Sequence, residues 1–253
     1  MISAKKMKFL NLIFNKLVHR PRTDRMFPIV DFTCNPVTGC LHYCKYCYAR
    51  RLAETRLKNV PRYRKGFVPR INSREFRKRF CKNDIVFLCD MGDLFGDFIP
   101  REWIFKVLRY VKRFPKTYFL LLTKNPKRYH EFLEYFPDNV VLGATIETNR
   151  DDLYIKHNIS KAPLPSERYK AMSSLDFGLK FVSIEPILEF DLEVLVKWIK
   201  EIDPVIVFVG YDNHNFKLPE PPYLDTLNLI SMLEEFTIVI RKCIRWAWFE
   251  IPN

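Results

Sequence analysis

The spacing of three cysteines constrains this chain more than any other feature of its sequence. Cys40, Cys44 and Cys47 lie within the eight residues CLHYCKYC. A 4Fe-4S cube has four irons and normally takes one thiolate on each of them. Three thiolates spaced by four and three residues can hold three of those irons and leave the fourth open. The motif therefore predicts an iron–sulfur cluster with one iron available to a non-protein ligand.

A fourth cysteine leaves two other interpretations open. Cys34 lies six residues before Cys40, so four thiolates would also suit a tetrahedral structural zinc or a fully ligated cluster in an electron carrier. Structural zinc sites usually combine two Cys-x2-Cys knuckles that are far apart in sequence. This sequence has no second knuckle, because Cys81, Cys89 and Cys243 are scattered. The open-iron interpretation is favoured, with zinc as the main alternative.

The length of the chain and its cysteine content limit the possible number of domains and the compartment in which the protein works. A chain of 253 residues fits one large α/β domain. The seven cysteines are an odd number, and no signal-peptide cleavage pattern follows the first lysines, so we expect a reducing cytoplasm rather than a disulfide scaffold. We predict a basic amphipathic extension at residues 1–25 and a single domain at 26–253, with an insertion at about 59–83. No apolar run is long enough to span a bilayer.

The net charge of +13 is unevenly distributed along the chain. Residues 50–82 carry thirteen Lys or Arg against Glu54 and Glu75, and residues 1–25 carry seven against Asp24. A positive field beside the cysteine motif favours a polyanionic partner such as nucleic acid, and a solvated basic face is the alternative. Bases can stack on aromatic side chains. The candidates for such stacking in the basic segment are Tyr63, Phe67, Phe76 and Phe80.

Apolar runs of strand length alternate with helical patterns along the rest of the chain. Runs that are buried on both faces and alternate with helices predict parallel βαβ units with right-handed crossovers. The helices include one at residues 44–59 and one that starts at Pro126 behind Asn125 as N-cap. We predict an α/β fold, an open partial (β/α)6 TIM-like barrel with mostly parallel strands. The predicted strands are residues 29–33, 84–89, 117–123, 139–146, 180–184 and 204–209, with an edge strand at 236–240.

Acidic residues follow several of the predicted strands. In parallel barrels the functional site lies at the carboxyl ends of the strands, because the loops that follow them converge there. Burying several carboxylates at one mouth is costly unless cations or hydroxyl groups meet them. We therefore expect a ligand that carries such groups. The acidic candidates are Asp90, Asp93, Glu147, Glu185 and Asp212.

The motif and its surroundings resemble the radical S-adenosylmethionine (SAM) superfamily. The resemblance rests first on residues 33–49, where the aromatic Tyr46 stands just before the last cysteine. Over roughly residues 32–245 the chain is also similar to a group of archaeal and phage-encoded radical SAM proteins of unknown substrate. A more distant similarity is to spore photoproduct lyase, a DNA-repair member of the superfamily. The phrases that carry the similarity are TCNP at 33–36, MGDLFG at 91–96, LTKNP at 122–126, ATIETN at 144–149 and VSIEP at 182–186.

This resemblance implies the fold, the cofactors and the reaction class. Cys40, Cys44 and Cys47 would ligate a 4Fe-4S cluster, and SAM would chelate its open iron through amino and carboxylate groups. The reduced cluster, with an electron donor such as ferredoxin or flavodoxin, would cleave SAM to a 5′-deoxyadenosyl radical. The partial (β/α)6 barrel expected from the strand count is also typical of these proteins.

The resemblance also assigns roles to residues at the strand ends. Gly92 and Asp93 occupy the position of a glycine motif that receives the amino group of SAM, although this chain lacks the common double glycine. Lys124 is a candidate for the SAM carboxylate, with a solvated lysine as the alternative. Glu147 corresponds to a carboxylate that binds the ribose hydroxyls. The other expected cofactor contacts are Tyr46, Glu185 and Tyr211.

Three functional hypotheses follow. The first is a radical SAM enzyme that takes hydrogen from nucleic acid, in RNA modification or DNA repair. The second keeps the chemistry and exchanges the substrate for a small metabolite or peptide, and it gains if residues 59–83 fold across the mouth of the barrel. The third is a non-catalytic metal-binding protein that docks on nucleic acid, with Cys34 as fourth ligand. Cys89, just before Asp90, is a candidate hydrogen donor, and a buried structural cysteine is the alternative.

Overall fold

Seven parallel strands form the centre of the molecule, which this computed structural model describes for residues 3–19 and 26–250. They lie side by side in chain order, and every neighbouring pair is parallel. A separate antiparallel pair, β2 (Val37–Thr38) and β3 (Arg70–Ile71), stands apart from them. The seven strands are β1 (Phe32–Cys34), β4 (Ile85–Leu88), β5 (Tyr118–Thr123), β6 (Val140–Thr145), β7 (Lys180–Ile184), β8 (Ile206–Val209) and β9 (Ile238–Arg241).

Helices connect the strands and cover one side of the sheet. The resulting curled α/β half-barrel confirms the predicted partial barrel, and the predicted edge strand at 236–240 is its seventh strand, β9. The small pair of β2 and β3 was not predicted. The α-helices are α1 (Ala4–His19), α2 (Tyr48–Glu54), α3 (Arg101–Val111), α4 (Asp151–Lys156), α5 (Pro165–Ser173), α6 (Leu192–Ile202) and α7 (Tyr223–Glu234), and Glu75–Arg77 and Pro126–Tyr135 are 3-10 segments.

The inner strands β4 to β8 are buried on both faces, and their alternate side chains point to opposite sides of the sheet. In β4, Val86 and Leu88 pack in the outer core, which lies between the sheet and the helices. Ile85 and Phe87 pack in the inner core, which lies inside the curl of the sheet. This double burial explains why the strands are continuous apolar runs in the sequence. The polar ends of the strands are left to form a site.

Helix α1 closes the inside of the curl. Phe9 and Ile13 are fully buried in the inner core, and the rings of Phe9 and Tyr118 are 4.8 Å apart. The predicted boundary at residue 25 and the bases at 20, 22 and 25 lie outside the described residues. Within residues 3–19 and 26–250, no helix is long and apolar enough to cross a membrane.

Two predicted helices differ from the observed structure. The helix predicted at residues 44–59 is shorter and begins only at Tyr48, because the backbone N–H of Lys45 donates to the carbonyl of Ile159 and holds the cysteine loop open. The helix predicted from Pro126 is a 3-10 segment. Its Tyr129 hydroxyl bonds the carbonyls of both neighbouring strands, at Leu121 and Gly143, so tertiary contacts set its winding.

Candidate active site

A cavity of about 610 Å³ opens at the carboxyl ends of the strands. Its lining comes from the cysteine loop and from the loops that follow β4, β5, β7, β8 and β9. This is the position at which parallel barrels place their functional sites. The polar and ionisable residues of the lining are Cys40, His42, Cys44, Tyr46, Cys47, Tyr48, Asp93, Thr123, Lys124, Thr145, Glu185, Tyr211, Asp212, Asn213, His214, Arg241, Lys242 and Cys243.

The three motif cysteines all line this cavity. Cys47 is the N-cap of α2, and its sulfur accepts a hydrogen bond from the backbone N–H of Arg50. The Arg50 guanidinium reaches back to the carbonyl of Cys40 at 2.7 Å. The backbone N–H of Cys40 donates to the carbonyl of Phe67 at 3.1 Å. The loop is therefore held by the first turn of α2 and by the insertion.

The electrostatics of the thiols fit a cationic metal group. Burial raises the pKa of the Cys40 thiol, and the proximity of Asp93, Cys44 and Cys47 raises it further. Burial and the proximity of Cys44 also raise the pKa of Cys47. Three neighbouring thiols become good ligands as thiolates, which repel one another unless a metal centre compensates their charge.

Among residues 3–19 and 26–250, no group of three or more His, Cys, Asp or Glu side chains is arranged to hold a metal ion. In a 4Fe-4S cube each thiolate binds a different iron. The three motif cysteines share the cavity lining. Cys34 does not join them. Its buried thiol donates to the carbonyl of Glu75, and burial raises its pKa to about 12.

Two glycines bring the cysteine loop and the loop after β4 together. Gly39 and Gly92 form a parallel bridge, and the Gly39 N–H donates to the carbonyl of Met91 at 2.8 Å. A Cβ on Gly92 would lie 3.0 Å from the carbonyl oxygen of Gly39. Gly92 therefore permits a close backbone approach, and the partner in that approach is the cysteine loop.

Asp93 lies beneath the cysteine loop and is paired with His42. Its Oδ2 is 3.0 Å from His42 Nε2 and also accepts the backbone N–H of Lys124, while its Oδ1 accepts from Thr123 and Phe95. Burial acts to raise the pKa of Asp93, but these partners outweigh it and lower the pKa. His42 and Asp93 are 51 residues apart in the sequence, so no local pattern predicts that they pair.

Glu147 is the centre of a buried charge network behind the cavity wall. It is fully buried and does not itself line the cavity. Its Oε1 accepts from the Tyr46 hydroxyl and from Lys124 Nζ, and its Oε2 accepts from the Arg168 guanidinium at 2.6 Å. Burial opposes ionisation, yet the charges of Arg168 and Lys124 lower the pKa of Glu147 to about 2.

The network presents Lys124 and Tyr46 to the cavity. Both side chains line it, and Lys124 Nζ is 2.6 Å from the Tyr46 oxygen. Burial acts to lower the pKa of Lys124, but the Glu147 carboxylate raises it, so the ammonium stays charged. Glu147 thus orients a lysine and a tyrosine, and Arg168, which was not predicted, completes the neutralisation of its charge.

Glu185 faces a lysine that was also not predicted. Its Oε1 lies 2.7 Å from Lys242 Nζ, and its Oε2 accepts from the Ser183 hydroxyl at 3.1 Å. Burial raises the pKa of Glu185, and Lys242 opposes that shift. Lys242 follows β9 directly, so the expectation of functional residues after each strand extends to the seventh strand.

The remaining candidates have mainly structural partners. The ring of Tyr211 lines the cavity, and its hydroxyl bonds Thr226 at 2.7 Å. Asp212 caps its own loop by accepting the N–H groups of His214 and Phe216. Cys89 and Asp90 are not among the residues that line the cavity. Cys89 is buried in the outer core and Asp90 accepts from Asn35, so the structure does not place Cys89 at the site.

Two of the four aromatic residues of the insertion, Tyr63 and Phe67, are not free to stack on bases, which corrects the expectation from sequence for these two. Tyr63 and Phe67 are buried against α2, and Phe67 forms part of the cavity wall. Phe76 and Phe80 pack on the outer core. The apolar rings anchor the insertion to the barrel, and its basic side chains are left at the surface.

Comparison with solved structures identifies the fold. A spore photoproduct lyase variant with bound AdoMet and dinucleoside spore photoproduct matches with a TM-score of 0.55 at 12% identity, covering 87% of this chain and 65% of that one. A second variant, with dinucleoside spore photoproduct, matches with a TM-score of 0.55 at 10% identity and covers 93% of this chain and 70% of that one. The chain therefore spans about two thirds of the length of these structures, and at such identities the similarity establishes the fold alone.

Sequence comparison adds a family. No curated protein matches the chain. A family model matches residues 27–211, which include the cysteine loop, the loop after β4 and the strand ends through Tyr211. Since the match covers more than half of the sequence, the chain belongs to the family described as "Protein of unknown function (DUF5131)".

Proposed function

We propose that this protein is a radical SAM enzyme that acts on nucleic acid. The observation that carries the proposal is the convergence of Cys40, Cys44 and Cys47 on one cavity at the carboxyl ends of a parallel half-barrel. The spacing of these cysteines leaves one iron of a bound cluster open to SAM. The fold, similar to that of spore photoproduct lyase with bound AdoMet, supports the same conclusion.

When bound, a 4Fe-4S cluster and SAM supply a 5′-deoxyadenosyl radical, formed with one electron from an external donor, that removes a hydrogen atom from the substrate. The protein's part is to hold and orient these groups. The Lys124 ammonium offers a cation to a carboxylate, and the Tyr46 hydroxyl, which donates to Glu147, accepts from Lys124 and so orients it. Glu185 lines the same cavity beside Lys242, where its carboxylate suits a cationic group of SAM.

Two observations favour nucleic acid over a small substrate. Residues 50–82 carry thirteen bases against two acids, and the chain resembles in fold an enzyme crystallised with a dinucleoside. A capped mouth would have favoured a small molecule. Within the insertion at residues 59–83, Phe67 alone lines the cavity, so the insertion does not fold across the opening.

The cluster assignment is tested by metal content. After anaerobic reconstitution with iron and sulfide we expect about four irons per chain. Single replacements of Cys40, Cys44 or Cys47 by Ala should lower that content sharply, and the matched control Cys34→Ala should leave it unchanged, because the Cys34 thiol faces the carbonyl of Glu75. Stoichiometric zinc without iron, or equal iron loss in Cys34→Ala, would contradict the assignment.

A further inference from the structure

The second half of the insertion runs along the exposed edge of the sheet. The N–H of Asn72 donates to the carbonyl of Pro36, just beyond the carboxyl end of β1, and the N–H of Asn83 donates to the carbonyl of Lys116, next to the amino end of β5. Between these points, Lys78 Nζ donates to the carbonyl of Thr33 on β1 at 3.1 Å. Residues 72–84 therefore follow the whole length of edge strand β1.

Aromatic contacts fix this stretch against α3. The rings of Phe76 and Tyr110 are 5.3 Å apart, and those of Phe80 and Phe114 are 5.4 Å apart. The Tyr110 hydroxyl donates to the carbonyl of Lys78 at 2.9 Å. Because these apolar contacts are internal, the basic side chains of both elements project outward along the seam between them.

A shallow hollow of about 470 Å³ lies in that seam. Phe76 and Tyr110 form its aromatic walls, and Lys106, Arg109 and Arg113 supply three exposed cations. These three bases are spaced by three and four residues, so they form one stripe of α3 and its C-terminal extension. Four further exposed bases stand on the facing segment: Arg74, Arg77, Arg79 and Lys82. We call the hollow and these four bases the edge groove.

The charge of the edge groove is not neutralised within the described part of the chain. Among residues 3–19 and 26–250, neither the three cations of the hollow nor the four facing bases form an ion pair. The nearby acid Glu75 is paired with Lys78 at 2.8 Å, and the exposed Glu102 lies one turn before Lys106 on α3. Seven unpaired bases against two unpaired acids, Glu102 and Asp84, form a strongly positive strip.

Two more arginines lie between the edge groove and the cysteine motif in the sequence. Arg62 and Arg70 lie in the first part of the insertion, which packs on the cysteine loop, and the Nε atom of each is buried without a hydrogen-bond partner in residues 3–19 and 26–250. A line of cations along a sheet edge matches a polymer with regularly spaced charges better than an isolated anion.

We infer that the edge groove binds the sugar-phosphate backbone of the nucleic acid on which the enzyme acts, outside the active-site cavity. The inference rests on the proposed nucleic-acid substrate. It adds the place on the protein where the part of the nucleic acid next to the reacting nucleotide binds. Affinity in the groove comes from phosphate contacts, so it is independent of base sequence and falls steeply with salt. The groove thus positions the polymer, and the cavity selects the reacting nucleotide.

The test compares two variants of equal charge change in the full-length reconstituted protein. One is the triple variant Lys106→Glu, Arg109→Glu, Arg113→Glu. The control is Lys156→Glu, Lys170→Glu, Lys200→Glu, three exposed lysines on α4, α5 and α6 that belong to none of the described ion pairs. Binding is measured by fluorescence anisotropy with a labelled 20-base-pair DNA duplex and with labelled tRNA, at several salt concentrations. Circular dichroism verifies that both variants are folded.

We expect the groove variant to bind about 10- to 100-fold more weakly than the control variant, with a salt slope shallower by about 3, one for each lost phosphate contact. The probe that shows this loss identifies DNA or RNA as the source of the backbone. Equal weakening in both variants would mean that net charge alone matters, and it would overturn the groove while the nucleic-acid substrate stands.

Two further outcomes would also overturn the inference. If the wild-type protein binds neither probe, both the groove and the nucleic-acid substrate are rejected. The proposed cleavage of SAM is not affected by this result, because it is tested separately by the formation of 5′-deoxyadenosine. Binding of the wild type to phosphatidylserine vesicles that matches its binding to nucleic acid, and that the groove variant loses equally, would assign the strip to a membrane surface instead.

Discussion

Replacing Arg168 by Met should lower the free energy of unfolding by about 3–5 kcal/mol, the cost of removing one partner of a buried ion pair. Arg168 and Glu147 are both fully buried and are joined at 2.6 Å. The guanidinium also donates to the carbonyls of Thr145 and Pro163 and to the Tyr154 hydroxyl. The substitution leaves three buried acceptors unpaired and a carboxylate whose remaining cation is Lys124.

A matched control is available on the surface. Arg150 pairs with Asp191 at 2.6 Å, but its side chain is 35% exposed. Surface ion pairs contribute little, so Arg150→Met should cost less than about 1 kcal/mol. Urea unfolding at neutral pH measures both variants, and Arg168→Lys, which keeps the charge, serves if the Met variant does not fold. Similar losses at positions 168 and 150 would contradict the buried network described here.

Replacing Gly39 by Ala should both destabilise the fold and prevent iron binding. Gly39 has a φ of +88°, and a Cβ there would lie 2.1 Å from the carbonyl oxygen of Val68. A left-handed conformation costs a non-glycine residue about 1–2 kcal/mol, and the clash with backbone adds at least a similar amount. Since Cys40 is the next residue, relief of the clash must displace one of the three proposed cluster ligands.

A substitution at Gly66 separates the cost of the positive φ from the cost of the clash with backbone. It also has a positive φ, +78°, but a Cβ there would meet nothing within 4 Å. Gly66→Ala should therefore cost only about 1–2 kcal/mol and keep normal iron content. Thermal unfolding and iron analysis of the two variants provide the comparison. If Gly39→Ala kept full iron content and stability equal to that of Gly66→Ala, the close approach at Gly39 would not exist in solution.

The strands were predictable because their signal is local. Double burial makes each strand a continuous apolar run, and alternation with helices then dictates a parallel half-barrel. The strand at Lys180–Ile184 was predicted to the residue, whereas β1 begins later than expected, at Phe32. Elements of two residues, such as β2 and β3, have no periodicity to detect.

The partners within the site were not predictable, because they depend on long-range geometry. Arg168 lies on a helix and would ordinarily be assigned to the surface, yet it is fully buried against Glu147. His42 and Asp93 are distant in sequence. Strand-end position did bring Asp93, Lys124 and Glu185 to the cavity, because the topology of a parallel sheet determines that position.

The aromatic residues of the insertion were also expected at the surface. Their placement among basic residues indicated exposed stacking surfaces, but Tyr63 and Phe67 have 3% and 2% of their surface exposed. An insertion this long needs its own apolar anchors to stay ordered on the barrel. The mixture of aromatic and basic residues therefore reflects two faces of one segment, the inner one apolar and the outer one charged.

Reductive cleavage of SAM tests the central claim most directly. The reconstituted protein is reduced with dithionite under anaerobic conditions, supplied with SAM, and assayed for 5′-deoxyadenosine with and without bulk tRNA or DNA. We expect product from the wild type and from Cys34→Ala, and none from Cys44→Ala. A wild-type protein that carries a reduced cluster but binds no SAM and forms no 5′-deoxyadenosine with any of these additions would contradict the claim.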